Sequence, residues 1–257
     1  MDKFEPFESP LLLIANAREN LRQFEIACRA FTANCKYDIF MEQDKDEVVV
    51  KARLKNDKFP GHIRVIGSSI LNDMRHALDQ AVCDGAIMLG PVNAKNTYFP
   101  FAKDYADFNI QLRGKCKKVR PDLLEFIKNF KPYLGGDDLL WAFNRIAGKN
   151  KHQRILAIST NNTLYTDDTM VYREGKIGIN LWNERKNELE VSRTKISNIG
   201  DHDNADHMKI EFTLEIVIGE AEVIGGYPAI EVLKDILNKT EGIVLAIKAE
   251  SERLTRN

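Results

Sequence analysis

The chain has 257 residues, of which 44% are hydrophobic and 29% charged, and its formal net charge is −1. This composition is typical of a folded globular protein and excludes a disordered chain. The longest apolar run, Leu11 to Ala15, is much shorter than the roughly 20 residues of a membrane-spanning helix, so we expect a cytoplasmic protein without a membrane partner.

The first half of the chain changes from a helical to a strand pattern and back. Apolar residues at helical spacing predict a long first helix over 9–31, and alternating residues predict a β-hairpin at about 37–54. A second helix, named α2, is predicted over about 63–87. Residues 88–112, which include Gly90, Pro91 and Pro100, lack a sustained period and predict a long loop over the core.

Later segments are shorter and become mostly β. Helices are predicted at 121–133 and 138–147, while 151–159 fits either a helix or a first strand. The predicted strands are 169–172, 176–181, 188–191 and 209–218, and a final helix is predicted over about 228–253. The fold class that follows is α+β: an N-terminal helical bundle with a β-hairpin, then an antiparallel sheet backed by a C-terminal helix. The length fits either one composite domain or two closely packed subdomains, which would divide into 1–159 and 160–257.

The second predicted helix has one apolar and one polar face. Its apolar face is formed by Ile70, Met74, Ala77 and Ala81, which the spacing predicts to be buried. The polar side, named here the α2 patch, consists of Asn72, Arg75, His76 and Asp79. An amide, a cation, an imidazole and a carboxylate within two turns suit phosphate binding or proton transfer. An amphipathic helix with a purely structural polar face would show the same pattern.

A second polar segment runs from Arg145 to His152. Its Arg-x6-His spacing resembles the motif of HEPN ribonucleases, a family of helical proteins common in bacterial defence and toxin systems. In that family the arginine contacts phosphate and the histidine assists attack by the ribose 2′-hydroxyl, with the site usually shared across a dimer. The resemblance therefore implies catalytic roles for Arg145 and His152, RNA as a partner, and a homodimer.

A broader resemblance covers both polar segments. Residues 75–79, Arg-His-Ala-Leu-Asp, followed downstream by 150–153, Asn-Lys-His-Gln, resemble bacterial proteins that carry an LRxALD helix and a DKHR-like segment. That family, still uncharacterised, implies no activity. Together the two resemblances predict a bacterial or phage-associated, HEPN-like, RNA-directed nuclease of a defence or toxin type. The alternative is a non-catalytic module for protein binding or dimerisation, so the sequence leaves open whether the chain is an enzyme.

Positive charge is concentrated in the first half. Residues 1–159 hold 25 Lys+Arg and 20 Asp+Glu, and residues 160–257 hold 12 and 18, so the halves carry +5 and −6. The densest run, named here the basic stretch, consists of Arg113, Lys115, Lys117, Lys118 and Arg120. Neutralisation of phosphates by such cations is the main sequence-independent source of nucleic-acid affinity, so this run is a candidate polyanion-binding surface. A solvated charged face is the alternative, and no interleaved aromatic motif accompanies the run.

Neither a metal nor a cofactor is predicted. Residues 201–207 contain three aspartates and two histidines, but the spacing of His202 and His207 differs from the helical pair of a zinc protease, which favours a polar loop. The glycine pairs lack the context of nucleotide-binding loops. The four cysteines, Cys28, Cys35, Cys83 and Cys116, form no C-x-x-C pair and are predicted to be reduced thiols.

Overall fold

The structure, a computed structural model, describes residues 5–55, 60–90, 93–149, 156–166, 183, 186, 188–195, 208–219 and 223–256. The helices are α1 (Glu8–Asn34), α2 (Gly61–Met88), α3 (Tyr105–Lys115), α4 (Pro121–Lys128), α5 (Asp138–Lys149) and α6 (Ala229–Thr255). The strands are β1 (Tyr37–Asp44), β2 (Glu47–Leu54), β3 (Leu156–Thr166), β4 (Glu188–Lys195) and β5 (Met208–Ile218). The predicted α+β class is confirmed. Among the described helices, none is long and apolar enough to cross a membrane.

Three long helices form the centre of the molecule. Helix α2 packs against both α1 and α6, and α1 also contacts α6. The predicted apolar face of α2 is confirmed, since Ile70, Met74, Ala77 and Ala81 are all fully buried. Burial of this stripe against two helices is what keeps α2 in place, because most helical stability in proteins comes from tertiary packing. The opposite side of α2 therefore has a defined position in the fold.

Helices α2 and α6 approach closely at Gly85. A Cβ atom placed on Gly85 would lie 2.9 Å from Ser251 Oγ of α6 and 3.0 Å from Leu123 Cδ2 of α4. A methyl group at position 85 would therefore force the side chains of Ser251 and Leu123 to shift, so glycine is favoured by the space rather than by the backbone angle. The close approach holds the C-terminal part of α2 between α4 and α6.

The start of α1 is attached to the same part of α2. Asp84 Oδ2 accepts a hydrogen bond from the backbone N–H of Phe7 at 2.8 Å. Phe7 itself is buried and adopts a left-handed conformation with φ of 66°. Burial raises the pKa of Asp84, while the Phe7 hydrogen bond opposes that effect. The carboxyl group thus satisfies a backbone donor at the beginning of the first helix.

The described strands form two antiparallel sheets. One has the order β1–β2–β4, and the other pairs β3 with β5. Val50 and Ala52 of β2 are buried in the helical core, and β5 packs against α6 and α1. On β4, Arg193 donates to Asp44 at 2.8 Å and to Glu47 at 2.9 Å, which ties this strand to the turn of the hairpin. Pairing of β2 with β4 therefore crosses the predicted division at residue 160.

Most predicted elements agree with the structure, with one clear exception. Strands β4 and β5 confirm the predictions at 188–191 and 209–218, and β3 resolves the ambiguity at 151–159 by beginning at Leu156. The strands predicted at 169–172 and 176–181 lie outside the described residues.

The predicted loop over 88–112 was wrong from residue 105 onward, where α3 begins. The Asp104 side chain caps this helix by accepting the N–H of Asp107 at 2.9 Å. Phe108 and Leu112, four residues apart, are buried, whereas Ile110 is 65% exposed. A helix of three turns with an apolar residue on its solvent side lacks the periodic signal on which the prediction depended.

Candidate functional site

The α2 patch is partly covered by the segment that precedes α3. Asp79 Oδ1 accepts a hydrogen bond from the backbone N–H of Phe99 at 2.9 Å. The rings of Phe99 and Phe101 are buried and stack edge to face, with centroids 4.8 Å apart. These rings hold residues 98–102 against the polar side of α2. Asp79 is consequently partly buried rather than fully solvated.

Arg75 connects the α2 patch to helix α5. Its Nη1 atom donates a hydrogen bond to Oδ1 of Asn144, and its guanidinium lies 5.0 Å from the ring centroid of Phe101. Asn144 directly precedes Arg145, the first residue of the HEPN-like motif. The α2 patch therefore contacts the residue directly before the second polar segment, at a sequence separation of 69.

Lys115 brings the basic stretch to the same place. Its Nζ atom donates to the carbonyl oxygen of Phe101 at 3.2 Å, and the side chain is partly buried. Burial lowers the pKa of Lys115, and the positive charge of Arg75 lowers it further, while Asp79 and Asp107 oppose both effects. We name Arg75, Asp79, Lys115 and Asn144 the Arg75 cluster.

Asp79 lies within the electrostatic reach of both cations of the cluster. Burial raises the pKa of its carboxyl group, and the effect is opposed by the Phe99 hydrogen bond and then by the charges of Arg75 and Lys115. The pKa values of Asp79 and Lys115 are therefore both shifted toward the neutral form by burial. Groups whose pKa values are perturbed in this way are concentrated at functional sites, and they also occur in structural networks.

The two cations of the cluster are held by neutral oxygen atoms. Arg75 donates to a side-chain amide and Lys115 donates to a backbone carbonyl. Neither hydrogen bond cancels a positive charge at the junction of α2, α3 and α5, although the Asp79 carboxylate offsets part of the charge of both cations and Asp107 offsets part of that of Lys115. Arginine has five N–H donors in a planar fork, and the bond to Asn144 uses only one of its terminal nitrogens. The arrangement is suited to binding a phosphate or carboxylate group.

Other predicted site residues have different surroundings. Asn72 is partly buried on α2, and His76 is exposed. Arg145 is exposed, and its guanidinium lies 5.5 Å from the ring centroid of Trp141, one turn earlier on α5. His152 lies outside the described residues. The catalytic pairing of Arg145 with His152 stays a prediction.

The basic stretch does not form one continuous surface. Lys118 donates to the carbonyl oxygen of Lys95 at 2.9 Å, and Arg120 donates to Asp122 at 2.8 Å and to the carbonyl of Leu254 at 3.0 Å. These two cations and Lys115 stabilise local structure. Arg113 and Lys117 are exposed.

Sequence reasoning missed Asn144, Phe99 and Phe101 as members of the site. Asn144 stands beside the motif arginine, but its side chain points to α2 only because α5 packs there. The two phenylalanines are separated by Pro100 in a segment without periodicity, so no local signal indicated that they would cover a polar helix face. Of these three residues, only Asn144 has a local signal in the sequence, because it is a polar neighbour of the motif arginine.

Metal and thiol chemistry are limited in the described residues. No group of three or more His, Cys, Asp or Glu side chains in that part of the chain is arranged to hold a metal ion. Residues 201–207 lie outside it. Burial raises the pKa of Cys28 and of Cys116 to about 12, so both thiols are protonated at neutral pH.

No protein-family model, curated protein or solved structure matched this chain.

Proposed function

We propose that this protein acts on RNA, that the Arg75 cluster binds an RNA phosphate, and that cleavage follows the HEPN-like scheme. The observation that carries the proposal is that two cations in one cluster, Arg75 and Lys115, donate hydrogen bonds to neutral oxygens, with Asp79 as a carboxylate within electrostatic reach of both. The segments that meet there are the α2 patch, the basic stretch and the helix that carries Arg145. Each of these three segments was selected from the sequence as suited to a polyanion, and together they support one phosphate-binding site.

The cluster offers a phosphate two kinds of contact. Arg75 is oriented by Asn144 on one side and by the ring of Phe101 on another, which leaves further N–H groups for a phosphate oxygen. Lys115 adds a second positive charge. A bound phosphate dianion or diester would reduce the repulsion between the two cations and raise the depressed pKa of Lys115.

In the proposed reaction His152 removes the proton from a ribose 2′-hydroxyl. The 2′-oxygen forms a bond to phosphorus, the bond to the 5′-oxygen breaks, and that oxygen leaves with a proton. The products are a 2′,3′-cyclic phosphate and a 5′-hydroxyl. Arg145 and Arg75 would stabilise the charge that develops on the phosphate oxygens. These steps need no metal ion or cofactor.

The experiment combines binding and cleavage with purified protein. Arg75→Gln is compared with Arg29→Gln, which removes an exposed arginine paired with Glu25 on α1. We expect Arg75→Gln to weaken RNA binding by about tenfold and to reduce the salt dependence of affinity by about one unit of slope, because it removes a phosphate contact. Arg29→Gln should change neither.

Cleavage is measured in EDTA with the wild-type protein and with His152→Ala. Wild-type protein should produce fragments with 2′,3′-cyclic phosphate ends, and His152→Ala should not. Equal cleavage by both proteins, or none by either, would reject the nuclease assignment. Equal RNA affinity of Arg75→Gln and Arg29→Gln would reject the Arg75 cluster as the phosphate site.

The non-catalytic alternative is favoured by a different observation. Strand β1 lies at the edge of the described three-stranded sheet, and its Ile39 and Met41 side chains are 41% and 50% exposed. An edge strand with exposed apolar residues can pair with another chain. If this surface forms the homodimer, Met41→Lys should shift the protein to a monomer in light-scattering measurements. An unchanged mass would remove this surface as the dimer contact.

A further inference from the structure

The surface around α3 combines unneutralised cations with exposed tyrosines. Residues 93–134 contain nine Lys+Arg and four Asp+Glu. Each of the four carboxylates has a local partner. The Asp104 side chain accepts a hydrogen bond from the backbone N–H of Asp107. The Asp107 side chain accepts hydrogen bonds from the backbone N–H of Lys103 and from the Gln111 amide. Asp122 accepts a hydrogen bond from Arg120, and Glu125 forms an ion pair with Lys128. The acidic groups of this region therefore cap or tie its own helices.

Several cations of the same region face solvent. The exposed members are Lys95, Lys103, Arg113, Lys117 and Lys131. Residues 93–134 have five more cations than carboxylates, and five of the cations are exposed. Such a surface attracts a polyanion through its phosphates and makes the affinity depend strongly on salt.

Two exposed aromatic rings lie at opposite ends of α3. Tyr105, the first residue of the helix, is 65% exposed, and its ring contacts that of Tyr133 with centroids 5.7 Å apart. Tyr98 is 44% exposed and is held at the other end of the helix. Its N–H donates to the carbonyl of Lys115 at 3.3 Å, and its carbonyl accepts from Cys116 Sγ at 3.4 Å. The hydrogen bonds of the Tyr98 backbone and the contact between the Tyr105 and Tyr133 rings limit the motion of the two exposed rings.

The length of α3, which lies between Tyr105 and the attachment point of the Tyr98 backbone, suits a short stretch of single strand. The 11 residues of α3 span about 15 Å at a rise of about 1.5 Å per residue. Stacked nucleotides are spaced by about 3.4 Å along a strand, so this length corresponds to roughly four or five of them. Binding sites of a few nucleotides with aromatic stacking are typical of proteins that bind single strands.

We infer that the surface formed by Tyr98, Lys103, Tyr105, Arg113 and Lys117, named here the α3 surface, binds single-stranded RNA. The tyrosine rings stack on unpaired bases, and the cations contact the phosphates. A duplex keeps its bases stacked on one another and offers these rings nothing to stack on, so the surface prefers single strands. The inference rests on the proposed function, because it names the form of RNA that reaches the Arg75 cluster through Lys115 on the same helix.

The test uses fluorescence anisotropy with a 2′-O-methyl oligoribonucleotide of about 12 nucleotides, within the range of single-strand site sizes. Its methylated 2′-oxygen cannot attack phosphorus, so binding is measured without cleavage. The same strand annealed to its complement is the duplex probe. The variants are Tyr105→Leu, Tyr105→Phe and the control Tyr227→Leu, which changes a tyrosine that is 60% exposed and distant in sequence from α3.

We expect tighter binding of the single strand than of the duplex. Tyr105→Leu should weaken single-strand binding by about tenfold, as loss of one stacked base does. Tyr105→Phe, which keeps the ring, should bind as the wild type does, and so should Tyr227→Leu. Equal affinity for duplex and single strand, or equal affinities of Tyr105→Leu and Tyr227→Leu, would overturn the inference.

The outcome is separable from that of the proposed function. If Arg75→Gln does not weaken RNA binding, the Arg75 cluster is rejected as the phosphate site. If cleavage does not depend on His152, the nuclease assignment is rejected. In either case, weaker binding by Tyr105→Leu would still support the α3 surface. If Arg75→Gln weakens RNA binding but Tyr105→Leu does not, only the α3 surface is rejected. Because Tyr105 is exposed, its substitution is compatible with a normal fold, which circular dichroism checks.

Discussion

Gly85→Ala tests the packing that places α2, and with it the Arg75 cluster. The new Cβ would lie 2.9 Å from Ser251 Oγ, 3.0 Å from Leu123 Cδ2 and 3.5 Å from Ile247 Cγ2. Overpacking of this kind costs about 1–3 kcal/mol of the free energy of unfolding. Replacing a helical glycine with alanine contributes up to about 1 kcal/mol in the opposite direction. We expect a net loss of about 1 kcal/mol, the difference between these two estimates.

The matched control is Gly242→Ala in α6, where a new Cβ would meet no atom within 4 Å. This variant should gain about 0.5–1 kcal/mol from the lower entropy of its unfolded chain. Urea unfolding with equal m values gives the free energies of unfolding for both variants. If Gly85→Ala is as stabilising as Gly242→Ala, the short distances at position 85 do not destabilise the folded state.

A double variant identifies the atom responsible. Ser251→Ala removes the oxygen nearest to the new methyl group but leaves Leu123 in place. If the clash with Ser251 Oγ dominates, Ser251→Ala should recover at least about 0.5 kcal/mol of the loss caused by Gly85→Ala. Additive effects of the two substitutions would instead assign the loss to Leu123.

Three further predictions follow from buried polar groups. The raised pKa of Asp79 means that the folded state binds a proton more tightly than the unfolded state. The stability contributed by this group therefore falls as the pH rises from the usual carboxyl pKa through the raised value. Urea unfolding across that pH window should show a smaller fall in the free energy of unfolding for Asp79→Asn than for the wild type. The hydroxyl of Thr240 is fully buried without a hydrogen-bond partner among the described residues, so Thr240→Val should raise the free energy of unfolding by about 1 kcal/mol, and a decrease would show that the hydroxyl is satisfied. Cys116, with its pKa raised to about 12, should react with a thiol reagent at neutral pH only after unfolding, and rapid reaction in the folded protein would contradict its burial.

The long helices could be predicted because their apolar residues repeat with the helical period. Helix α2 buries Ile70, Met74, Ala77 and Ala81, the face that the spacing selected. The hairpin followed from β-branched residues alternating over 37–54. Helix α3 was missed because its two buried residues, Phe108 and Leu112, are too few to establish a period, and its cap at Asp104 is a single residue.

The polar sites required distances that no local pattern contains. Spacing along α2 selected Arg75 and Asp79 as neighbours, but their partners Asn144 and Phe99 come from other elements. The basic stretch looked uniform in sequence, yet Lys115 turns inward while Arg113 faces solvent. A charge run gives composition only, and the side of the helix on which each cation lies depends on the packing of α3.

The sequence alone therefore determined the class of fold, the buried face of α2 and the polar residues opposite it, because these depend on the helical period within one segment. The tertiary structure decided that Asp79 is partly buried, that Arg75 bonds to α5, and that the charge of Lys115 lies within reach of both. These features depend on contacts between residues up to 69 positions apart, as in the Arg75–Asn144 pair. Only the packed chain brings such groups together, since side-chain burial and charge proximity arise from the whole core.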